Sequence, residues 1–127
     1  MSCKVIAIDD FKRDAKKLLK KFISLKSELI QLEADLLQNP RLGTLIQENT
    51  YKIRLAVKSK GKSGGMRIVT HVVEVMLQIN EDTTEQDFTV FLLTIYDKSE
   101  MENIADNDLQ YLINQVCAEL DSEDREL

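Results

Sequence analysis

The chain has 127 residues, 43% of them hydrophobic, and a formal net charge of −5. That is enough apolar material for one ordinary core without disulfide or metal staples, so a single domain over residues 1–127 is expected, with an acidic tail fraying from about residue 122. No apolar run approaches the roughly 18–20 residues of a membrane helix, and the opening residues lack the pattern of a secretion signal, so a cytoplasmic protein without membrane partners is expected.

Cys3 and Cys117 stand at opposite ends without CxxC spacing, and no set of His, Cys or carboxylates falls at ligand spacing in the basic region. Neither a metal nor another cofactor is expected. Charge is placed unevenly: residues 51–73 hold Lys52, Arg54, Lys58, Lys60, Lys62 and Arg67 with no acid, whereas residues 97–127 are strongly acidic. A local cationic patch suits an anionic partner even in an acidic chain.

A short β-rich start over residues 4–8 leads to Asp9 and Asp10, which offer N-cap oxygens to a helix. Phe11, Ala15, Leu18 and Phe22 recur at helical spacing, and Leu25, Leu29, Leu32 and Leu36 continue it until Asn39-Pro40 stops it. Spacing alone leaves open whether Ser24 divides this run into two helices. Alternation then predicts a strand over residues 51–58, a glycine-rich turn in SKGKSGG, a long strand over 66–79, the loop NEDTTEQD over 80–87 and a strand over 88–96. Met101, Ile104, Leu109, Leu112, Ile113 and Val116 predict a closing helix. The class is therefore α+β: a small antiparallel sheet, made of a three-stranded meander plus the N-terminal strand, packed on two N-terminal helices, with a C-terminal helix.

Keeping apolar faces together restricts the strand register. A symmetric reading of both hairpins sets Lys58 opposite Arg67, Arg54 opposite His71 and Tyr96 opposite His71, and brings Lys98 beside Arg67. Lys58, Lys60, Arg67 and Lys98 would then crowd one end of an open sheet face, where facing cations are unfavourable unless an anion such as phosphate sits among them. The same pattern also fits long side chains splayed into water. His71 in mid-strand and Tyr96 at a strand end each have an ordinary packing role besides a functional one.

Three segments carry more than this. GKSGGMRIV at 61–69 and FLLTIYDKSEMENI at 91–104 resemble the two signature stretches of the HigB-like branch of the RelE/ParE toxin superfamily, and NPRLGTLIQENTYKIRLAV at 39–57 resembles its approach to the meander. The resemblance covers roughly residues 39–113 well. It implies a toxin of a type II toxin–antitoxin module that cuts mRNA on the ribosome without metal, inhibits translation and is neutralised by a cognate antitoxin. Carried over by position, Lys58, Lys60, Arg67 and Lys98 become the catalytic set, and Lys52, Arg54, Lys62, His71 and Tyr96 the RNA-binding set. Arginine suits a pentavalent phosphate, being planar and permanently charged, and lysines crowded by cations suit proton transfer. A ParE-like gyrase inhibitor, or a degenerate member that only binds its antitoxin, shares the fold and stays open.

Overall fold

The computed structural model describes residues 2–60 and 65–126, with the backbone alone for 121–126. Strand β1 (Ser2–Ala7) leads into α1 (Asp9–Lys21) and α2 (Leu25–Gln38), followed by β2 (Thr44–Gln47), β3 (Thr50–Leu55), a 3-10 turn at Lys58–Lys60, β4 (Met66–Gln78), β5 (Thr84–Asp97) and α3 (Asp106–Glu126). The five strands form one mixed sheet in the order β1-β5-β4-β3-β2. The fold is the expected α+β arrangement, with two differences in the sheet: β1 lies parallel to β5, and the short, exposed strand β2 adds an edge.

Sequence chemistry explains the helices. Phe11, Ala15 and Leu18 are the buried stripe of α1, with Asp9 and Asp10 in its first turn and Lys20 and Lys21 in its last, each complementing the helix dipole. The two aspartates act through charge, since Ile8 holds the N-cap position and no side chain caps the helix. The helical run does break at residues 22–24. There the Ser24 hydroxyl donates to Glu28 Oε1 (2.9 Å) and accepts from the Ser59 backbone N–H (2.9 Å), while Lys58 N–H donates to Glu28 Oε2 (2.8 Å). The helical corner thus grips the 3-10 turn that leaves β3.

That grip sets the register of the first hairpin. β3 stops at Leu55, and its pairs run from Thr50↔His71 to Arg54↔Arg67 and Leu55↔Met66. Lys58 therefore does not face Arg67, nor Arg54 His71, as the symmetric reading expects. Gly65 comes so close to the Leu55 carbonyl that a Cβ would collide with it, which requires glycine at this entry to β4. In the second hairpin the connecting loop is only residues 79–83, and an irregularity between Val69 and Thr70 shifts the pairing, so Tyr96 faces Arg67 rather than His71.

Residues 66–70 are buried without alternation, so both sheet faces are covered there. Leu32 of α2 and Ile53 line one cleft, and Leu18 of α1 and Ile95 another, which places the helical hairpin against one face. On the opposite face Val69 and Phe91 are fully buried. α3 packs on β5, and Asn103 in its lead-in accepts a hydrogen bond from Lys52 Nζ (3.1 Å), so α3 and residues 98–105 form the cover on that side. The helix continues to Glu126, past the point where composition predicts fraying.

Candidate nucleic-acid interface

Residues opposite each other on neighbouring strands share a face, so three transverse rows define the surface beneath α3. The first is Arg54–Arg67–Tyr96, the second Lys52–Val69–Thr94 and the third Thr50–His71–Phe91. Five of the expected residues thus lie on one face, over about 13 Å from Arg67 to His71 along the strand at ~3.3 Å per residue.

The first row is mostly out of water. Arg54 is exposed, but Arg67 and Tyr96 each retain only 7% of their accessible surface. Arg67 Nη1 donates to the Met66 carbonyl at 3.2 Å. The Tyr96 hydroxyl is fully enclosed and has no hydrogen-bond partner among the described residues, and burial pushes its pKa up, although the nearby Arg67 charge pulls it down. A guanidinium beside an unsatisfied hydroxyl donor makes a site suited to an anionic oxygen. The expected open cationic face is therefore corrected: Arg67 is packed beneath a cover.

Lys60 differs most from expectation. Its ammonium lies 3.0 Å from Asp97 Oδ1, and the two side chains are 6% and 8% exposed. Asp97 also accepts from the Ser99 N–H (2.9 Å) and the Ser99 hydroxyl (2.8 Å). Burial raises the Asp97 pKa, but the two Ser99 bonds and the Lys60 ammonium outweigh it and hold the carboxyl below its ordinary value. Among the described residues a carboxylate is a close neighbour of Lys60. This removes the physical reason for expecting a proton-shuttling lysine there.

Lys58 and Lys98 are both exposed. Lys58 lines a cleft of about 480 Å³ with Arg54, Glu28 and Asp35, and the Lys98 N–H donates to the Gly65 carbonyl at 3.4 Å. Lys62 lies outside the described residues.

His71 sits at the far end of the face, half-buried, with Nδ1 2.9 Å from Thr50 Oγ1. The Thr50 hydroxyl donates its proton to the Glu48 carbonyl (3.0 Å), so His71 Nδ1 must be the donor in its own bond, which leaves Nε2 as the acceptor of a neutral ring. Burial lowers the His71 pKa, partly offset by Glu48.

Two structural residues escape sequence reasoning. Asp97 has a local signal, since Asp-Lys-Ser is an Asx-turn pattern, but its pairing with Lys60 is a long-range event. Arg41 bonds Asn49 Oδ1, the Tyr51 hydroxyl and Glu74 Oε2, each at 3.1 Å, and tethers the β2–β3 turn to β4. Its only local cue is its place after the helix-ending proline. Among the described residues no three His, Cys, Asp or Glu side chains gather at metal-ligand distances, and no helix is long and apolar enough to cross a membrane.

A mixed sheet with a helical hairpin on one face and a closing helix on the other is a fold that this chain shares with a solved toxin. The E. coli toxin RelE, solved as a double mutant in the free state, is similar over 91% of this chain and 99% of its own, with a TM-score of 0.52 and 18% sequence identity. No family model matches the chain.

Proposed function

We propose that this chain is the toxin of a type II toxin–antitoxin module, a HigB-like member of the RelE/ParE superfamily that acts in the cytoplasm by cutting mRNA on the ribosome. The observation that carries this reading is Arg67 beside the unpartnered Tyr96 hydroxyl, on the basic hairpin of a RelE fold.

The chemistry is transesterification. The RNA 2′-hydroxyl loses its proton and bonds to the adjacent phosphorus, the P–O5′ bond breaks, and the leaving oxygen takes a proton. Arg67 supplies a fork to two phosphate oxygens, and the Tyr96 hydroxyl a further donor. Exposed Lys98, two residues past Tyr96, and Lys58, at the α2 cleft that Arg54 also lines, carry the proton transfers. Lys52, Arg54 and His71 continue the face along the strand and bind the neighbouring RNA backbone. Lys60 holds Asp97 and with it the shape of the site. Because Arg67 is 7% exposed, the phosphate reaches it only when part of the cover moves, and an antitoxin, as the cognate partner, neutralises the chain by keeping that face closed.

One alternative has a specific observation behind it: the enclosure of Arg67 and the locked Lys60–Asp97 pair suit a member that binds its antitoxin and cleaves nothing. Induction in cells separates the readings. Bulk translation should collapse within minutes while plasmid supercoiling is unchanged. A supercoiling defect that precedes the translation defect points to gyrase, and normal growth with tight antitoxin binding to the degenerate member.

A further inference from the structure

The β4–β5 hairpin runs well past the rest of the sheet. Pairing of β1 reaches only to Ser2↔Asp87, and β3 ends its pairing at Thr50↔His71, with one more bond from Val72 N–H to the Asn49 carbonyl at 2.8 Å. Beyond these points the hairpin continues as two strands, through Met76↔Gln86, Leu77↔Glu85 and Gln78↔Thr84. At ~3.3 Å per residue this two-stranded arm is roughly 10 Å long before its turn, and two strands alone are marginal in water.

The side chains of the arm are unusual for a solvated hairpin. Val75, Met76, Leu77 and Ile79 are 45%, 58%, 43% and 57% exposed. Val75, Leu77 and Ile79 alternate along β4 and so share a face, directly beside Asp87 and Glu85 on β5. Residues 72–87 contain five acids, Glu74, Glu81, Asp82, Glu85 and Asp87, and no Lys or Arg, although Arg41 of the preceding loop already pairs with Glu74.

The outer edge of β4 is open as well. Ile79 N–H bonds the Thr83 carbonyl across the hairpin, so odd-numbered residues of the arm point their backbone groups to β5, and Glu74, Met76 and Gln78 point theirs away from it. No neighbouring strand occupies that side among the described residues. Natural edges are usually blunted by lysine, proline or bulges, and the arm has none of these along residues 74–78.

We infer that the β4 edge of this arm accepts an extended segment of a partner protein by strand addition, the segment alternating apolar residues with lysine or arginine. Backbone pairing with Glu74, Met76 and Gln78 supplies affinity. Apolar residues cover Val75, Leu77 and Ile79, and the cationic ones answer the acids that surround them. A second copy of this chain would bring the same acidic arm against itself, so charge favours a basic partner.

The probe is a synthetic ten-residue peptide of alternating lysine and valine, with a glutamate–valine peptide as control, titrated at low salt into the isotopically labelled full chain. The lysine peptide should shift the amides of Glu74, Met76 and Gln78 and protect them from hydrogen exchange, weaken as salt is added, and bind about tenfold more weakly to a Leu77→Lys variant with an unchanged melting curve. Equal binding of the glutamate peptide, shifts confined to the Lys52–Arg67 face, or no shift at millimolar peptide would overturn the inference. Concentration-dependent protection of the same amides without peptide would overturn it too, by assigning the edge to a second copy.

Discussion

Replacing Lys60 with methionine tests whether this residue belongs to the architecture or to the chemistry. The substitution keeps much of the side-chain volume and removes the ammonium 3.0 Å from Asp97 Oδ1, in a pair whose members are 6% and 8% exposed. Taking one partner from a buried ion pair leaves the other charge uncompensated and costs about 3–5 kcal/mol. The two Ser99 bonds to Asp97 remain and place the expected loss at the lower end of that range, still about a fifth or more of a typical domain's stability of about 5–15 kcal/mol. The pH dependence distinguishes this from loss of packing. In the parent, Asp97 titrates below its ordinary value, so its contribution is complete above about pH 4 and is lost as pH falls through the lower, folded-state value. Without Lys60 two of the causes that lower the Asp97 pKa are gone and the folded-state value moves up, so the variant's deficit shrinks as pH falls. Urea unfolding of both proteins at pH 7.5 and 5 measures this. A loss under 1 kcal/mol at pH 7.5, or a deficit that does not shrink at pH 5, would refute the structural role of Lys60.

Arg67→Ala should cost about 1–3 kcal/mol of stability by the same measurement, because the side chain is packed rather than splayed into water, and a neutral result would return it to the surface. The lowered His71 pKa means that the unfolded chain takes up a proton first, so stability should decline as pH falls below about 6.5, and His71→Gln should flatten that slope. His71→Ala should retain most cleavage activity, and an inactive but folded variant would move the chemistry toward the far end of the sheet. Arg41→Ala breaks bonds to Asn49, Tyr51 and Glu74 at a partly exposed site and should cost about 1 kcal/mol, with faster amide exchange in the β2–β3 turn and unchanged activity.

The helices and the alternation of β3 are visible in the sequence because burial imposes a period on local residues. Phe11, Ala15 and Leu18 show it for α1, and Tyr51, Ile53 and Leu55 against Lys52 and Arg54 for β3. Register is not local. It depends on Ser24 and Glu28 gripping the turn at Lys58–Lys60, which cuts β3 short, and on the irregularity at Val69, which no composition signal marks. The strand alternation placed Lys52, Arg54 and Arg67 on one face, but reading that face as solvent overlooked α3, whose apolar stripe needs a surface to cover. The segment between Gln38 and Glu48 hid β2 for a different reason: the strand's four residues are all exposed and carry no burial pattern.

The proposal that this RelE-fold chain cleaves mRNA through Arg67 is tested most directly by mapping the ends it leaves on a message held in translating ribosomes. Transesterification from the 2′-hydroxyl leaves a 2′,3′-cyclic phosphate upstream of the cut and a 5′-hydroxyl downstream, and Arg67→Ala should slow the cut about 10²- to 10³-fold, as removal of one transition-state donor does. An intact message, a 5′-phosphate at the cut, or an Arg67→Ala rate equal to the parent's would contradict it.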